Sequence, residues 1–287
     1  MHQPDPTAPA SHHQWLQPSP ALRPWVAYYL ITTNDGALSA RLPRVQVPPM
    51  TTAVIQVHLG TQPLRDNGQD DWHRSTRVAF AGPQTASRVE VNDGPPGRTL
   101  SVCFQPEGWY RFVRDEPAVL GNTVAAGSDV LAGRADELAP RLSGLNTGDL
   151  ITGIEGWLRQ RLQHCDTPGR EAIWLRQRLA VESLAAIAGD MGISKRQLAR
   201  RTRRVIGMKP KDYQRVARFH RLGQLSQALQ RHEEPMSGAA IAAALDYFDQ
   251  SHLARDIRDL TGLTPRQLMM QAPELGLYHQ PPPVPLF

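Results

Sequence analysis

An internal repeat with an offset of 55 residues fills much of the C-terminal part of this chain. The stretch SKRQLARRTRRVIGMKPKDY begins at Ser194, and DQSHLARDIRDLTGLTPRQL begins at Asp249. The copies share a Leu-Ala-Arg triplet, a later arginine, a glycine and a proline at equivalent positions. Such a repeat indicates that one small structural unit occurs twice, so the region must fold as a pair of similar units.

Each copy has the boundary signals of a short helix, a tight connection and a second, capped helix. The first helices, rich in alanine, are predicted at Leu184–Asp190 and Ala239–Leu245. Ser194 and Asp249 are good N-cap residues for the second helices. Glycines suited to a left-handed helix end follow at Gly207 and Gly262.

The second helix of each copy has one apolar face and one polar face. Residues at i, i+4 and i+7 predict the inward face, namely Leu198, Thr202 and Val205, then Leu253, Ile257 and Leu260. The opposite faces carry Arg, Lys, Gln and Ser, the side chains that read base edges and hold phosphates. A generic amphipathic helix pair shows the same wheel, but two matching copies favour a pair of helix-turn-helix units.

The segment between the copies predicts a long helix over residues 210–230, because Pro210 suits a helix start. A helix of that length spans roughly 31 Å. Successive major-groove faces of B-form DNA are about 34 Å apart. One polypeptide is therefore expected to insert two reading helices into adjacent major-groove segments.

Charge is distributed unevenly along the chain. Residues 1–169 carry 14 basic and 16 acidic side chains, a net charge of −2. Residues 170–287 carry 18 basic and 11 acidic side chains, a net charge of +7. A basic helical segment is an electrostatic footprint for double-stranded DNA, although a solvated helical face gives the same balance.

The segment 170–271 resembles the DNA-binding domain of the AraC/XylS family of bacterial transcription regulators. The resemblance is carried by YFDQSHLARDIRDLTGLTP, which begins at Tyr247, and by GISKRQLARRTRRVIGMKPKDY in the first unit. Since the family reads bases with the N-terminal half of each recognition helix, the resemblance implies six base-reading residues: Arg196, Ala199 and Arg200, then Gln250, Ser251 and Arg255. We expect phosphate contacts from Lys195, Arg203, Arg204, Lys209, Lys211 and Arg258.

Several positions depart from the family pattern. An aromatic residue is usual where this chain has Thr202 and Ile257, and glycine is usual where it has Asp246. Asp256 and Asp259 replace the equivalents of two arginines of the first unit. The second unit is therefore expected to hold phosphates less strongly than the first.

The N-terminal part has a strand-like pattern broken by glycine and proline. Strands are predicted at Trp25–Thr33, Thr51–Leu59, Arg77–Ala81, Arg88–Val91 and Arg98–Phe104. The expected fold class is α+β: an N-terminal antiparallel β barrel or sandwich with helices, and a C-terminal all-α double helix-turn-helix domain. The predicted organisation is a disordered tail (1–22), a sensor or dimerisation domain (23–165), the DNA-binding domain (170–271) and a tail (272–287).

The N-terminal domain resembles the cupin-like sensor domains attached to such regulators, through the stretches that begin at Leu22, Ala81 and Phe104. The stripe of Ile154, Trp157, Leu158 and Leu162 favours packing on this domain, and dimerisation stays open. Aromatic side chains could line an effector cavity or simply form the core. The sequence leaves open a small-molecule effector, contact with RNA polymerase and a homodimer.

No catalytic, cofactor or metal site is predicted. His58 has no second ligand at the spacing of a metal-binding cupin, which favours a packed histidine. Cys103 has no assignable base, which favours a buried residue over a nucleophile.

The sequence therefore predicts a sequence-specific transcription regulator without enzyme activity. No apolar run approaches the ~18 residues of a membrane span, and two cysteines suit a reducing cytoplasm. The rivals are a nonspecific architectural DNA binder and a metal-dependent cupin-type enzyme.

Overall fold

The computed structural model describes residues 13–34, 44–66, 71–91, 93, 95, 97–105, 108–112, 117–131, 135–161, 167–232 and 237–271. The predicted C-terminal tail (272–287), Leu162 and Cys165 lie outside these ranges. The described residues form an N-terminal domain of two antiparallel sheets with helices, followed by a helical domain. The predicted α+β fold class is confirmed.

Ten strands build the described part of the N-terminal domain. They are β1 His13–Leu16, β2 Val26–Asn34, β3 Arg44–Val47, β4 Val54–His58, β5 Leu64–Asp66, β6 Trp72–Arg74, β7 Val78–Ala81, β8 Arg88–Val91, β9 Gly97–Phe104 and β10 Val124–Ala126. One sheet has the order β1-β2-β9-β4-β7-β10, and the other has the order β3-β8-β5-β6. All pairings are antiparallel, and β2, β4, β7, β8 and β9 correspond to the five predicted strands.

The predicted tail over residues 1–22 is wrong for its second half. Strand β1 pairs with β2, so that Trp15 lies opposite Leu30. The ring of Trp15 lies 4.8 Å from that of Tyr28, and Leu22 is fully buried. The prolines in this stretch favoured a disordered tail in the sequence-based prediction. The strand is short and lies at the edge of the sheet, and it is stabilised by hydrogen bonds and apolar contacts with a strand distant in sequence.

Strand β4 is buried along its whole length. All five residues of β4 are buried, including Gln56 and His58. One face of β4 meets the core under the helices, and the other meets the four-stranded sheet. A strand covered on both sides has no solvent face, so its polar residues must find partners inside the protein.

Short helices close one side of the larger sheet. They are α1 Trp109–Phe112, a 3-10 helix Pro117–Leu120, α2 Gly127–Leu131, α3 Leu138–Leu142 and α4 Thr147–Arg161. Trp109 is fully buried, with its ring edge-on to Phe80 and Phe104 at 6.1 and 6.2 Å. Ile154 and Leu158 are buried in the same core, which confirms the predicted packing of α4 on this domain.

The C-terminal domain consists of seven helices in the described residues. They are α5 Thr167–Leu179, α6 Leu184–Asp190, α7 Lys195–Ile206, α8 Pro210–His232, α9 Gly238–Ala244, α10 Gln250–Thr261 and α11 Pro265–Gln271. Helices α6 and α7 form the first predicted unit, α9 and α10 form the second, and α8 joins them. None of the described helices is both long and apolar enough to cross a membrane.

The two domains meet at the end of α10. The backbone N–H of Ser87 donates to the carbonyl of Leu260 at 2.7 Å, and the Gln46 amide donates to the carbonyl of Thr261. On α8, the His220 ring donates from Nε2 to the carbonyl of Pro49 at 2.8 Å. The N-terminal domain therefore satisfies carbonyls that the last turn of α10 leaves without helical partners.

Candidate nucleic-acid interface

Helix α7 begins and ends as its sequence predicts. The Ser194 hydroxyl accepts from the Gln197 backbone N–H at 3.2 Å, and the Gln197 side chain accepts from the Ser194 N–H at 2.8 Å. This reciprocal capping box fixes the first turn. Gly207 ends the helix with φ of +90°, a left-handed conformation that costs other residues more than glycine.

Helix α10 repeats this plan with different chemistry. The Asp249 carboxylate accepts from the backbone N–H of His252 at 2.7 Å, and Gly262 ends the helix with φ of +73°. The first helix of each unit also has a serine N-cap, Ser183 for α6 and Ser237 for α9, and neither was predicted from the sequence. Serine is a favoured N-cap residue. Ser183 directly precedes the first predicted short helix, and Ser237 stands two residues before the second.

The inward faces of both helices are buried as predicted. Thr202 is fully buried and satisfies its hydroxyl on the Leu198 carbonyl at 2.9 Å, while Ile257 is 3% exposed. The first unit packs in one apolar cluster and the second in another. Both positions thus serve in the core without the aromatic residue that the family usually places there.

The outward faces of α7 and α10 carry ten of the twelve residues predicted to meet DNA, and Lys209 and Lys211 lie at the start of α8. Ala199 is half-buried, and the other eleven are exposed: Lys195, Arg196, Arg200, Arg203, Arg204, Lys209, Lys211, Gln250, Ser251, Arg255 and Arg258. Arg255 lines an open groove of about 420 Å³ together with Phe248 and His252. These side chains are positioned on the surface by helices whose opposite faces form the cores. Exposure makes them accessible to a duplex, and their roles toward DNA stay predictions.

Helix α7 is tied to α5 by an acidic side chain. Glu171 accepts from Arg204 at 3.0 Å and lies 3.9 Å from Arg201. Arg204 therefore has an intramolecular partner with which a phosphate would compete. Arg203, on the same helix, is exposed as well.

Helix α10 is tied to α8 with the charges reversed. Arg215 donates to Asp256 at 2.8 Å and to Asp259 at 2.9 Å. These two acids occupy the positions equivalent, at the offset of 55, to the arginines that face Glu171. Asp256 is 8% exposed, so its charge depends on this pair. In the first unit the arginines lie on α7 and the acid on α5, whereas in the second unit the acids lie on α10 and the arginine on α8. This reversed arrangement explains why Asp256 and Asp259 depart from the family pattern.

Both units pack on neighbouring parts of the joining helix α8. Tyr213 and Ala217 belong to the cluster of the first unit, and Phe219 and Leu222 belong to that of the second. Helical periodicity places these two pairs on different faces of α8. The distance between the two units therefore depends on which face of α8 each unit covers. The length of α8 alone does not determine that distance.

The turn before α10 contains a strained residue. Asp246 has φ of +59°, in the left-handed region where glycine is usual. Its carboxylate lies 3.6 Å from Arg221 in an exposed ion pair. Asp246 therefore replaces the glycine that is usual in the family but keeps the left-handed backbone conformation of that glycine.

We expect Asp246→Gly to stabilise the DNA-binding domain by about 0.5–1 kcal/mol. Relief of the left-handed strain outweighs the greater entropy of glycine in the unfolded chain and the loss of a weak surface pair. The free energy of unfolding from urea titration measures the effect. Gly192→Ala is the matched opposite change, since Gly192 has φ of +61°, and it should destabilise. A loss of stability in Asp246→Gly would contradict the strain.

His58 was predicted to be a packed histidine and Cys103 a buried cysteine, and both are buried in the N-terminal domain. The His58 ring lies within hydrogen-bond distance of the Thr99 and Ser75 hydroxyls, at 2.9 and 3.4 Å. Burial raises the pKa of the Cys103 thiol to about 12. The described residues contain no group of three or more His, Cys, Asp or Glu side chains arranged to hold a metal.

Acid should destabilise the protein through His58. Burial, with a further contribution from the charge of Arg65, lowers the pKa of His58 from 6.5 to about 4. Because the unfolded chain takes up the proton below pH 6.5 and the folded chain only near pH 4, stability falls as pH decreases through this window. We expect a loss of about 1–2 kcal/mol between pH 7 and pH 5, which His58→Asn removes. Urea titrations at both pH values test this, and an equal loss in the variant would contradict it.

Residues 187–271 match the family described as "Helix-turn-helix domain". The match begins within α6 and runs through α7, the joining helix α8 and the second unit to the end of α11. The C-terminal region carries an AraC-type helix-turn-helix domain. In this domain, α7 and α10 are the second helices of the two helix-turn-helix units.

The N-terminal domain matches a different family. Residues 14–126, which run from β1 to β10, match "Domain of unknown function (DUF6597)". No curated protein matches the chain.

Solved structures similar to the chain include several of ToxT from Vibrio cholerae. An apo ToxT variant is 9% identical, with 84% of this chain and 97% of that chain covered and a TM-score of 0.45. A 1.65 Å structure of ToxT is 10% identical, covering 84% and 98%, with a TM-score of 0.44. These low identities and TM-scores add nothing to what the fold itself shows.

Proposed function

We propose that this protein is a sequence-specific transcription regulator that reads two adjacent major-groove segments with its two recognition helices. The observation that supports this most strongly is the pairing of two capped helices with matching exposed arginines, Arg200 and Arg255, in an AraC-type domain. In the major groove, arginine makes its commonest specific contact with guanine through a bidentate pair of hydrogen bonds.

The proposed DNA contacts fall into two groups, those with base edges and those with phosphates. Arg196, Ala199 and Arg200 read bases from α7, and Gln250, Ser251 and Arg255 read bases from α10. Lys195, Arg203, Arg204, Lys209, Lys211 and Arg258 hold phosphates and give the affinity its salt dependence. The second unit contributes less phosphate binding, since two of its acids replace arginines of the first.

The N-terminal domain acts as a sensor that controls the second unit. The support is its contact with the last turn of α10, where Gln46 and the Ser87 N–H hold helix carbonyls. A change within the small sheet would therefore reach a recognition helix through these hydrogen bonds.

Selection of duplexes from a random pool separates this function from nonspecific DNA binding. The regulator should enrich one sequence and bind it about 10³-fold or more tightly than a scrambled duplex at physiological salt. An architectural binder would hold both duplexes equally well. Equal affinity of the selected and scrambled duplexes would overturn sequence-specific reading.

A further inference from the structure

A charged cluster lies between the two sheets of the N-terminal domain. On the four-stranded sheet, Arg65 donates to Glu90 at 2.9 Å and Arg88 donates to the same carboxylate at 3.1 Å. Arg65 also donates to the amide oxygen of Gln56, across on β4, at 2.6 Å. Arg65 is 3% exposed, Glu90 is 8% exposed and the Arg88 side chain is 13% exposed, so the cluster is largely shielded from bulk water.

The cluster has one positive charge too many. Burial raises the pKa of Glu90, but the charges of Arg65 and Arg88 outweigh it and hold that pKa at about 2, so the carboxylate is ionised. His58, the next titratable group, is neutral at pH 7. Two guanidinium groups therefore face one carboxylate among the described residues. Uncompensated buried charge is costly, which makes an anionic partner favourable.

Arg88 carries the unmet hydrogen-bonding capacity. Its Nε donates to Glu90, but Nη1 and Nη2 are both buried without an acceptor among the described residues. The two terminal nitrogens of a guanidinium form a planar fork whose geometry matches a carboxylate. A buried fork without an acceptor is rare in a folded protein.

An apolar surface adjoins Gln56 on the same face of β4. Val54 shares the inner face of β4 with Gln56, and its partners across the sheet are Ala81 and Cys103. These three residues form a small buried apolar cluster of their own.

We propose that the two sheets bind a small organic carboxylate between them, which accepts hydrogen bonds from Nη1 and Nη2 of Arg88. The inference deepens the sensor role proposed above and rests on it only for its regulatory meaning. Strand β8 carries Arg88 and Glu90 inward, while its first neighbour, Ser87, bonds to α10. A bound carboxylate is thus one residue away from the contact with the second recognition helix.

Calorimetric titration of the full-length protein with acetate, benzoate and octanoate tests the site. At least one should bind saturably, and the corresponding uncharged amide should not. Arg88→Gln should weaken that binding roughly 10- to 100-fold. Arg74→Gln, which removes an exposed arginine paired with Asp93 in the same domain, should leave it unchanged. Absence of saturable binding by all three acids, or equal binding by Arg88→Gln, would overturn the proposal.

Two further measurements separate a role of Arg88 in ligand binding from a purely structural role. Without ligand, Arg88→Gln should melt no lower than the wild type, because the change removes an uncompensated charge; a markedly lower melting temperature would assign Arg88 a structural role only. Arg88→Lys, which keeps the charge and loses the fork, should bind the acid more weakly than the wild type. Affinity for the selected duplex, measured without any acid, reports on DNA reading separately, so either function can fail alone.

Discussion

Arg200→Ala should abolish the preference for particular base pairs in one block of the selected duplex. The side chain is exposed on the outward face of α7, and a bidentate contact with guanine discriminates by about 1–3 kcal/mol. This corresponds to a loss of roughly 10- to 100-fold in affinity for the selected sequence, with little change for scrambled DNA. Competition binding with duplexes altered at each position measures the effect.

Arg203→Ala is the matched control on the same helix. Arg203 is also exposed, but it is predicted to hold a phosphate. Its loss should weaken selected and scrambled duplexes alike and reduce the slope of log affinity against log salt by about 1. If Arg200→Ala behaves in the same way, or leaves the preferred sequence unchanged, Arg200 does not read bases.

Phe219→Ala should destabilise the second unit by about 3–5 kcal/mol. The side chain is 3% exposed on α8 and packs in the apolar cluster of the second unit, beside Leu253 and Ile257. Removal of a buried phenylalanine costs its transfer free energy and leaves a cavity. We expect the second unit to lose structure first, which hydrogen exchange of α9 and α10 amides would report.

Phe248→Ala supplies the matched control, because Phe248 is 92% exposed in the connection between α9 and α10 of the same unit. Its loss should change the free energy of unfolding by no more than about 0.5 kcal/mol. Similar destabilisation by both variants would show that burial of Phe219 does not anchor the second unit on α8.

The features that were predictable from the sequence are local ones. N-caps, left-handed glycines and the inward stripe depend on neighbours within one or two helical turns, so the repeat displays them twice. Ser194, Asp249, Gly207 and Gly262 accordingly occupy the predicted roles. Strands with several β-branched or aromatic residues were predictable for the same reason.

The features that were missed depend on contacts between distant residues. Strand β1 is ordered by its pairing with β2, and its own residues give little signal. Arg215 and Asp256 are 41 residues apart, and only packing brings them together. The substitution of acids for arginines in the second copy was the one available hint. For Arg88, nothing in the strand RVEV distinguishes a buried arginine from a solvated one.

Binding-site selection with the wild-type protein and with Arg200→Ala and Arg255→Ala tests the central claim most directly. The wild type should select two conserved blocks whose centres lie about one helical turn apart, roughly 10 base pairs. Arg200→Ala should lose one block and Arg255→Ala the other, because each arginine lies on a different one of the two proposed recognition helices. A single conserved block, or the loss of the same block in both variants, would contradict reading by two helices.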